Sequence, residues 1–438
     1  MKTMPHVHQR SVSRLAAAAC AVALFASACG SDDPGSEEGG PVELTMYYPV
    51  AVGGPLTQVV DELIAGFEAE HDDITVEAVY SGTYMDTMTK VQTSARGQDA
   101  PDVAVLLSTE LYTLLDDDLI VSFDDLLGEE DSEWLNSFYE PFLANGQDGE
   151  GTTWSIPFQR STIVQYHNKE LFAQAGLDPE APPQTWDELM QMSQLVVDSG
   201  AAEFGIEIPT TQFAYWMLQA LAIQNDTLIV NDDGTETNLD DPGTVEALEY
   251  WLALGEQGLA PSGTVEWAST PEDFLQGRTA MMWTTTGNLS NIKENAGFDF
   301  GVSLLPANVR RGSPTGGGNF YVFESASDAE REASVELIKW LTAPEQTAEW
   351  SIATGYVATT PEAWETETMQ AYVEEFPAAT VARDQLEFAV PELATHDSGR
   401  IQQLVNDSVA AAIIGQESPA DAMSAAQDQA DDLLARYR

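Results

Sequence analysis

From Val42 onward the chain alternates apolar strands with amphipathic helices, and that alternation restricts it to few architectures. Leu44 to Tyr48 reads as a strand. Leu56, Val59, Val60, Leu63, Ile64 and Phe67 then recur at helical spacing, which places one apolar stripe on one face of a helix. Ile74, Val76 and Ala78 alternate with Thr75 and Glu77, the period of a strand with one buried face. Met85 to Ala95 returns to helical spacing, and Asp102 to Leu107 is a short apolar strand. A strand–helix–strand–helix–strand order of this kind predicts a parallel sheet flanked by helices, an α/β fold.

The chain has 438 residues, more than one hydrophobic core usually serves, so two lobes are expected. A second region starts near Trp154 to Phe158, with a strand at Thr162 to Tyr166 and a helix around Glu170 to Ala175 that Gly176 stops. Thr185 caps the next helix, and Glu188, three positions on, completes the pattern of a capping box. Ala280 to Thr284 and Tyr321 to Phe323 read as strands. Helices follow at 333–341, 344–352, 401–414 and 419–437. The sequence holds no internal repeat.

The first residues read as an export signal. Lys2, Arg10 and Arg14 precede an uncharged apolar run from Leu15 to Ala28, too short to span a bilayer as a mature helix. The run ends Ala26-Ser27-Ala28-Cys29, and small residues before a cysteine resemble a bacterial lipoprotein signal; Ala26 stands where leucine is favoured, and the alternative is an ordinary signal peptide with incidental cysteines. Residues 1–28 are thus expected to be removed, Cys29 to carry the lipid, and 29–41, rich in Ser, Gly, Pro and acid, to be a flexible tether. The membrane is then met only through the lipid anchor, on the extracytoplasmic side. Cys20 leaves with the signal, so the mature chain forms no internal disulfide.

Formal net charge is −55, from 72 acids and 17 bases, and only five of the bases are lysine. Such a field argues against nucleic acid and anionic lipid as partners. The acids are scattered, as on a solvated surface. His71, His167 and His396 are the histidines after the signal, and none sits in a metal-binding or catalytic motif. There is no Gly-x-Ser-x-Gly elbow, no phosphate-binding loop and no dinucleotide fingerprint. A carboxylate pair for glycoside hydrolysis stays open, because 72 acids bring pairs together by chance. The expectation is a monomeric, cofactor-free, metal-free binding protein rather than an enzyme. A structural adhesin is a more distant reading.

Residues 155–189 (SIPFQRSTIVQYHNKELFAQAGLDPEAPPQTWDEL) resemble extracellular solute-binding proteins of the maltose-binding class, where this stretch crosses between lobes. Gly97 to Val103, Phe274 to Met281, Leu341 to Gln346 and Thr354-Gly355-Tyr356 resemble further segments in the same order. Tyr80 to Tyr84, Gly287 to Ile292 and the TGY at Thr354 to Tyr356 are most similar to the group that serves importers of glycerol-3-phosphate and glycerophosphodiesters. The resemblance implies a two-lobed periplasmic-binding-protein-like fold of type II, with an inter-lobe cleft and hinge crossovers. It implies lobe 1 at 42–157 and 286–328, and lobe 2 at 158–285 and 329–438. The partners implied are the membrane permease of an ABC importer and a small polar ligand, first glycerol-3-phosphate or a glycerophosphodiester and, as the alternative, a neutral mono- or oligosaccharide.

Position-matching within the resemblance gives a candidate site. Tyr84, Ser161 and Tyr356 fall on ligand-contacting positions, and Arg160 beside Ser161 offers a bidentate fork for phosphate. Thr285 and Thr286 fall on hydroxyl positions, and Gly317 and Gly318 on a glycine pair whose N–H groups approach the ligand. Tyr48 ends the first strand, Ser108 and Thr109 follow the third, and Ser108 stands where an acid is expected, with Glu110 as its substitute. Phe213 and Trp216 cover a cleft tryptophan. Arg400 stands two residues before the column of a ligand-binding arginine, which is here Gln402.

Overall fold

The computed structural model describes residues 40–438. The expected signal, Cys29 and most of the expected tether lie outside them. The sheet order is β2-β1-β3-β8-β4-β6-β5. Its strands are β1 (Val42–Tyr48), β2 (Ile74–Tyr80), β3 (Val103–Leu107), β4 (Ile156–Asn168), β5 (Phe204–Glu207), β6 (Thr279–Thr285), β7 (Phe300–Ser303), β8 (Ser313–Val322) and β9 (Ala389–Val390). β7 joins beside β4, and β9 beside β8.

The opening alternation folds as its periodicity predicts. β1 runs parallel to β2 and to β3. Helix Leu56–Glu70 buries Leu56, Val59, Val60, Leu63, Ile64 and Phe67, and Leu44 and Met46 of β1 share that core. Helix Tyr84–Arg96 starts in a complete capping box: the Thr83 hydroxyl accepts from the Asp86 backbone, and Asp86 accepts from the Thr83 N–H. At Thr185 the box is incomplete. Its hydroxyl caps Glu188 N at 3.2 Å, but the Glu188 carboxylate accepts from Gln184 N at 2.7 Å, one residue earlier than the pattern predicts.

The second half departs from a parallel sheet. β8 is antiparallel to β3 and to β4, and β4 is antiparallel to β6. β4 is also longer than expected, because the segments at 154–158 and 162–166 are one strand. Its first part, Ile156 to Thr162, pairs with β8, and its second, Ile163 to Asn168, with β6 and β7. One strand therefore belongs to both halves of the sheet, and every residue of it is buried. That explains why alternation fails there: a strand covered on both faces is continuously apolar or internally hydrogen-bonded.

Separate apolar cores flank the two halves. Trp186, Leu189, Trp251, Trp283, Val405 and Met423 belong to one, and Leu44, Phe67, Val105, Phe320 and Trp350 to another. The packing does not follow the expected lobe boundaries. Ala333, Leu337, Ile338 and Leu341 of helix Asp328–Leu341, with Trp350 and Tyr356, join the core of β1 and helix Leu56–Glu70. Leu289 and Ile292, expected in the first lobe, pack with Val164, Tyr166 and Met282 of the second half-sheet. Amphipathic periodicity shows that a helix covers a sheet, and leaves open which sheet when the chain crosses repeatedly.

A polar cluster ties the chain's last residues to an early helix. Asp116 ends helix Leu111–Asp116. The Tyr437 hydroxyl donates to Asp116 Oδ2 at 2.6 Å, and His396 Nδ1 lies 3.0 Å from Asp116 Oδ1. The His396 and Tyr437 rings stack with centroids 3.8 Å apart. Among the described residues, no helix is long and apolar enough to cross a membrane.

Candidate functional site

A narrow cavity lies beside the point where β4 passes from one half-sheet to the other; Tyr84, Ser161, Phe213, Trp216, Trp267, Thr285, Gly317, Tyr356 and Glu392 are among its lining residues. Two larger spaces adjoin it. One, lined by Tyr80, Met85, Gln212 and Asn288, shares Tyr84, Phe213 and Trp267. The other, lined by Tyr112, Asp148, Gln219 and Asn231, shares Glu392.

The glycines of β8 make the cavity's shape. They stand inside a strand rather than a loop. A Cβ on Gly316 would lie 2.4 Å from the Trp216 indole, and one on Gly318 would lie 2.9 Å from the Tyr84 ring. Gly317 has φ +99, and a Cβ there would lie 1.9 Å from the Gln159 carbonyl oxygen. The missing side chains let two aromatic faces close on the strand, and the backbone turns as only glycine does freely. Tyr356 packs over Gly287 in the same way, 2.9 Å from the Cβ position.

Hydrogen bonds fix the aromatic walls. Trp216 Nε1 donates to the Thr315 carbonyl at 2.8 Å, and the Tyr84 hydroxyl donates to Gln159 Oε1 at 2.8 Å. Burial, then the neighbouring Tyr356 hydroxyl, pushes the Tyr84 phenol well above its ordinary value. Indole and phenol faces of this kind stack on the apolar face of a polyol ring while hydroxyls and carbonyls take its polar edge.

Arg160 does not line the cavity. Its guanidinium is fully buried behind β8. Nη1 donates to the Gly317 carbonyl at 3.1 Å and to Asn319 Oδ1 at 3.3 Å. Nη2 donates to Thr315 Oγ1 at 3.1 Å and to Asn145 Oδ1 at 3.2 Å. Burial lowers its pKa to about 10, an effect opposed by Glu392. The fork expected for a ligand phosphate instead joins β4, β8 and the Asn145 turn.

Other expected residues separate into two groups. The cavity gathers Tyr84, Ser161, Phe213, Trp216, Thr285, Gly317 and Tyr356. Tyr48 is in the core of the first half-sheet, its ring 6.0 Å from that of Tyr80. Arg400 projects to solvent, its side chain 71% exposed, and faces Asp397 at 3.7 Å. Ser108, Thr109 and Thr286 are buried with hydroxyls that have no partner, and Gly318 lies behind the Tyr84 ring. Burial raises the Glu110 carboxyl to about 7.

Besides the apolar Ala51, Val52 and Leu107, the lining holds two residues that the sequence reading did not single out, Trp267 and Glu392. Trp267 sits in a stretch without periodicity, 6% exposed, with its ring 4.8 Å from Phe213. Glu392 follows β9 in the run Phe388-Ala389-Val390-Pro391-Glu392-Leu393. A lone acid in an apolar run is a burial signal, but one among 72 acids is hard to single out. Asn145 holds its backbone on both sides, Oδ1 accepting from Glu392 N at 2.9 Å and Nδ2 donating to Glu392 O at 3.1 Å. Its Oε1 accepts from the Tyr215 hydroxyl at 2.6 Å, and Oε2 is buried without a partner. Burial raises this carboxyl to about 7, opposed by Tyr215 and Arg160.

A family profile described as bacterial extracellular solute-binding protein matches residues 62–378, more than half of the chain. The chain belongs to that family. It is a family of binding proteins and not of enzymes, and it acts outside the cytoplasm. Among curated relatives, the sn-glycerol-3-phosphate-binding periplasmic protein UgpB of Pectobacterium atrosepticum is 26% identical over 404 residues, covering 88% of this chain and 90% of the relative. UgpB of Escherichia coli K12 is 26% identical over 413 residues, covering 90% and 93%. Among solved structures, the cyclic alpha-maltosyl-1,6-maltose binding protein of Arthrobacter globiformis superposes with a TM-score of 0.78 at 24% identity, covering 90% of this chain and 99% of that one. UgpB of Mycobacterium tuberculosis with glycerophosphocholine gives 0.78 at 22%, covering 91% and 99%. These likenesses give this solute-binding protein the α/β periplasmic-binding fold expected from its sequence.

Proposed function

We propose that the chain is the solute-capturing component of an ABC-type importer, held outside the cell by a lipid on Cys29, and that its ligand is a small neutral, hydroxyl-rich molecule such as a mono- or oligosaccharide. One observation carries the ligand class: the cavity and the two spaces that adjoin it are lined by Glu392, Glu272, Asp148, Glu150 and Asp232, and no lysine, arginine or histidine lines them among the described residues. A phosphate dianion needs compensating charge or a dense set of free donors. Here the nearest guanidinium, Arg160, spends both terminal nitrogens on protein acceptors. Trp216, Trp267, Phe213 and Tyr356 supply the stacking surface that sugar rings use. Binding between the two half-sheets would draw them together about β4, and the permease would read the closed form.

A second reading is glycerol-3-phosphate or a glycerophosphodiester. The curated relatives named above favour it, as does the gathering of Tyr84, Ser161, Thr285 and Tyr356 in one cavity. A thermal-shift panel separates the two. A rise in melting temperature with maltose, trehalose or glucose but not with glycerol-3-phosphate or glycerophosphocholine supports the neutral class. The reverse pattern assigns the phosphate class.

A further inference from the structure

The geometry points to Glu392 as the group that sets ligand specificity: its free carboxylate oxygen accepts hydrogen bonds from ligand hydroxyls at the junction of the central cavity and the chamber beyond it. This rests on the neutral, hydroxyl-rich reading above and names the residue that reads those hydroxyls.

The side chain is held for such a role at every point but one. Asn145 grips the Glu392 backbone on both sides, and Tyr215 fixes Oε1 at 2.6 Å. Oε2 then has no partner in the protein, although the residue is 3% exposed. A buried carboxylate oxygen left without a donor is costly unless something supplies one. Glu392 lines both the central cavity and the adjoining chamber of about 600 Å³. A ligand hydroxyl in the cavity can therefore satisfy Oε2, and a further sugar unit has room beyond it. Arg160, in contact with the Asn145 oxygen on the far side, offsets the buried negative charge without entering the cavity. Position 108, where the resemblance led us to expect an acid, is a buried serine. Glu392 restores a carboxylate to the site from a different segment of the chain.

The titratable groups facing Glu392 come from several elements: Tyr215 from helix Ala214–Gln224, Arg160 from β4, and Glu110 from the turn after β3. Tyr84 and Tyr321 feel its charge from helix Tyr84–Arg96 and β8. Hydroxyl donors favour the ionised carboxylate, so affinity should rise with pH as Glu392 loses its proton.

The experiment measures, by intrinsic tryptophan fluorescence, binding of whichever neutral sugar in a panel of glucose, trehalose, maltose and maltotriose binds the wild type most tightly. Glu392→Gln should weaken it about 10- to 100-fold while leaving the folded far-ultraviolet signature in place. Wild-type affinity should rise from pH 5 to pH 8, a rise that Glu110→Gln keeps and Glu392→Gln flattens. Tyr215→Phe leaves the carboxylate present but unpositioned, and should weaken binding and shift the midpoint of the pH profile. If Glu392→Gln does not fold, the wild-type, Glu110→Gln and Tyr215→Phe profiles decide alone, and a pH-independent wild-type affinity overturns the assignment. Equal affinity of folded Glu392→Gln and wild type overturns the role of Glu392 and leaves the neutral-ligand reading standing. Failure of the wild type to bind any sugar in the panel overturns that reading, and this assignment with it.

Discussion

Tyr437, just past the last helix, reaches back to Asp116, donating its hydroxyl to Oδ2 at 2.6 Å while its ring lies flat on His396. Asp116 follows Leu111 and Leu114, which pack against the first half-sheet, while Leu434 and Tyr437 pack in the second core. The contact is a clasp between the two cores on the side of the Tyr112 chamber. Asp116→Ala and Tyr437→Phe should each lower affinity for ligand by favouring an open form. Their effects should not add: a double-mutant cycle is expected to give a coupling of about 0.5–3 kcal/mol. Titration calorimetry of the four proteins measures it.

Gly317→Ala should be among the most damaging single substitutions. The added methyl meets the Gln159 carbonyl oxygen, and φ is +99. Steric overlap and left-handed strain together cost about 3 kcal/mol or more, read as a fall in the urea midpoint. Gly318→Ala, with ordinary φ but Tyr84 in its path, should cost less stability and more affinity.

Trp216→Phe separates the stacking face from the hydrogen bond. The ring surface is largely kept, but the Thr315 carbonyl loses its 2.8 Å donor. A loss of about 1–3 kcal/mol in stability is expected. Ligand affinity should fall less than in Trp216→Ala, which removes the face as well.

Stability should fall as pH rises from about 4.5 to about 7. Glu110 and Glu392 are pushed up to about 7 by burial, against 4.5 for a free glutamate. Between those values the folded chain binds more protons than the unfolded chain, so unfolding becomes easier with rising pH. Glu207, raised to about 8 by burial and then by Asp273, extends the window upward. Glu110→Gln should shallow the slope in a series of thermal melts at fixed ionic strength. With 72 acids against 17 bases, added salt should raise the melting temperature at pH 8 more than at pH 5.

Much of this was legible in the sequence where local rules decide the outcome. Leu56, Val59, Leu63 and Phe67 can be buried together only on a helix, and the helix follows. The helical spacing of Met85 to Ala95 becomes helix Tyr84–Arg96, one residue longer at each end. The cavity's Tyr84, Ser161, Trp216 and Tyr356 were reached through resemblance, which carries spatial information that periodicity lacks. What failed was non-local. Arg160 looks like a phosphate fork until Asn145, Thr315, Gly317 and Asn319, contributed by other segments, are seen to occupy it. Arg400 has the right charge near the right column but the wrong helix face. Glu392 becomes visible only when its neighbours leave one oxygen unpaired.

β4 is one unbroken strand hydrogen-bonded into both halves of the sheet, with all thirteen residues buried. Melting either half would strip one end of it and expose the other to water. Two cores are thus denied separate transitions: heat-capacity scans should show a single peak whose van't Hoff and calorimetric enthalpies agree, and hydrogen exchange should give the amides at both ends of β4 one common opening free energy.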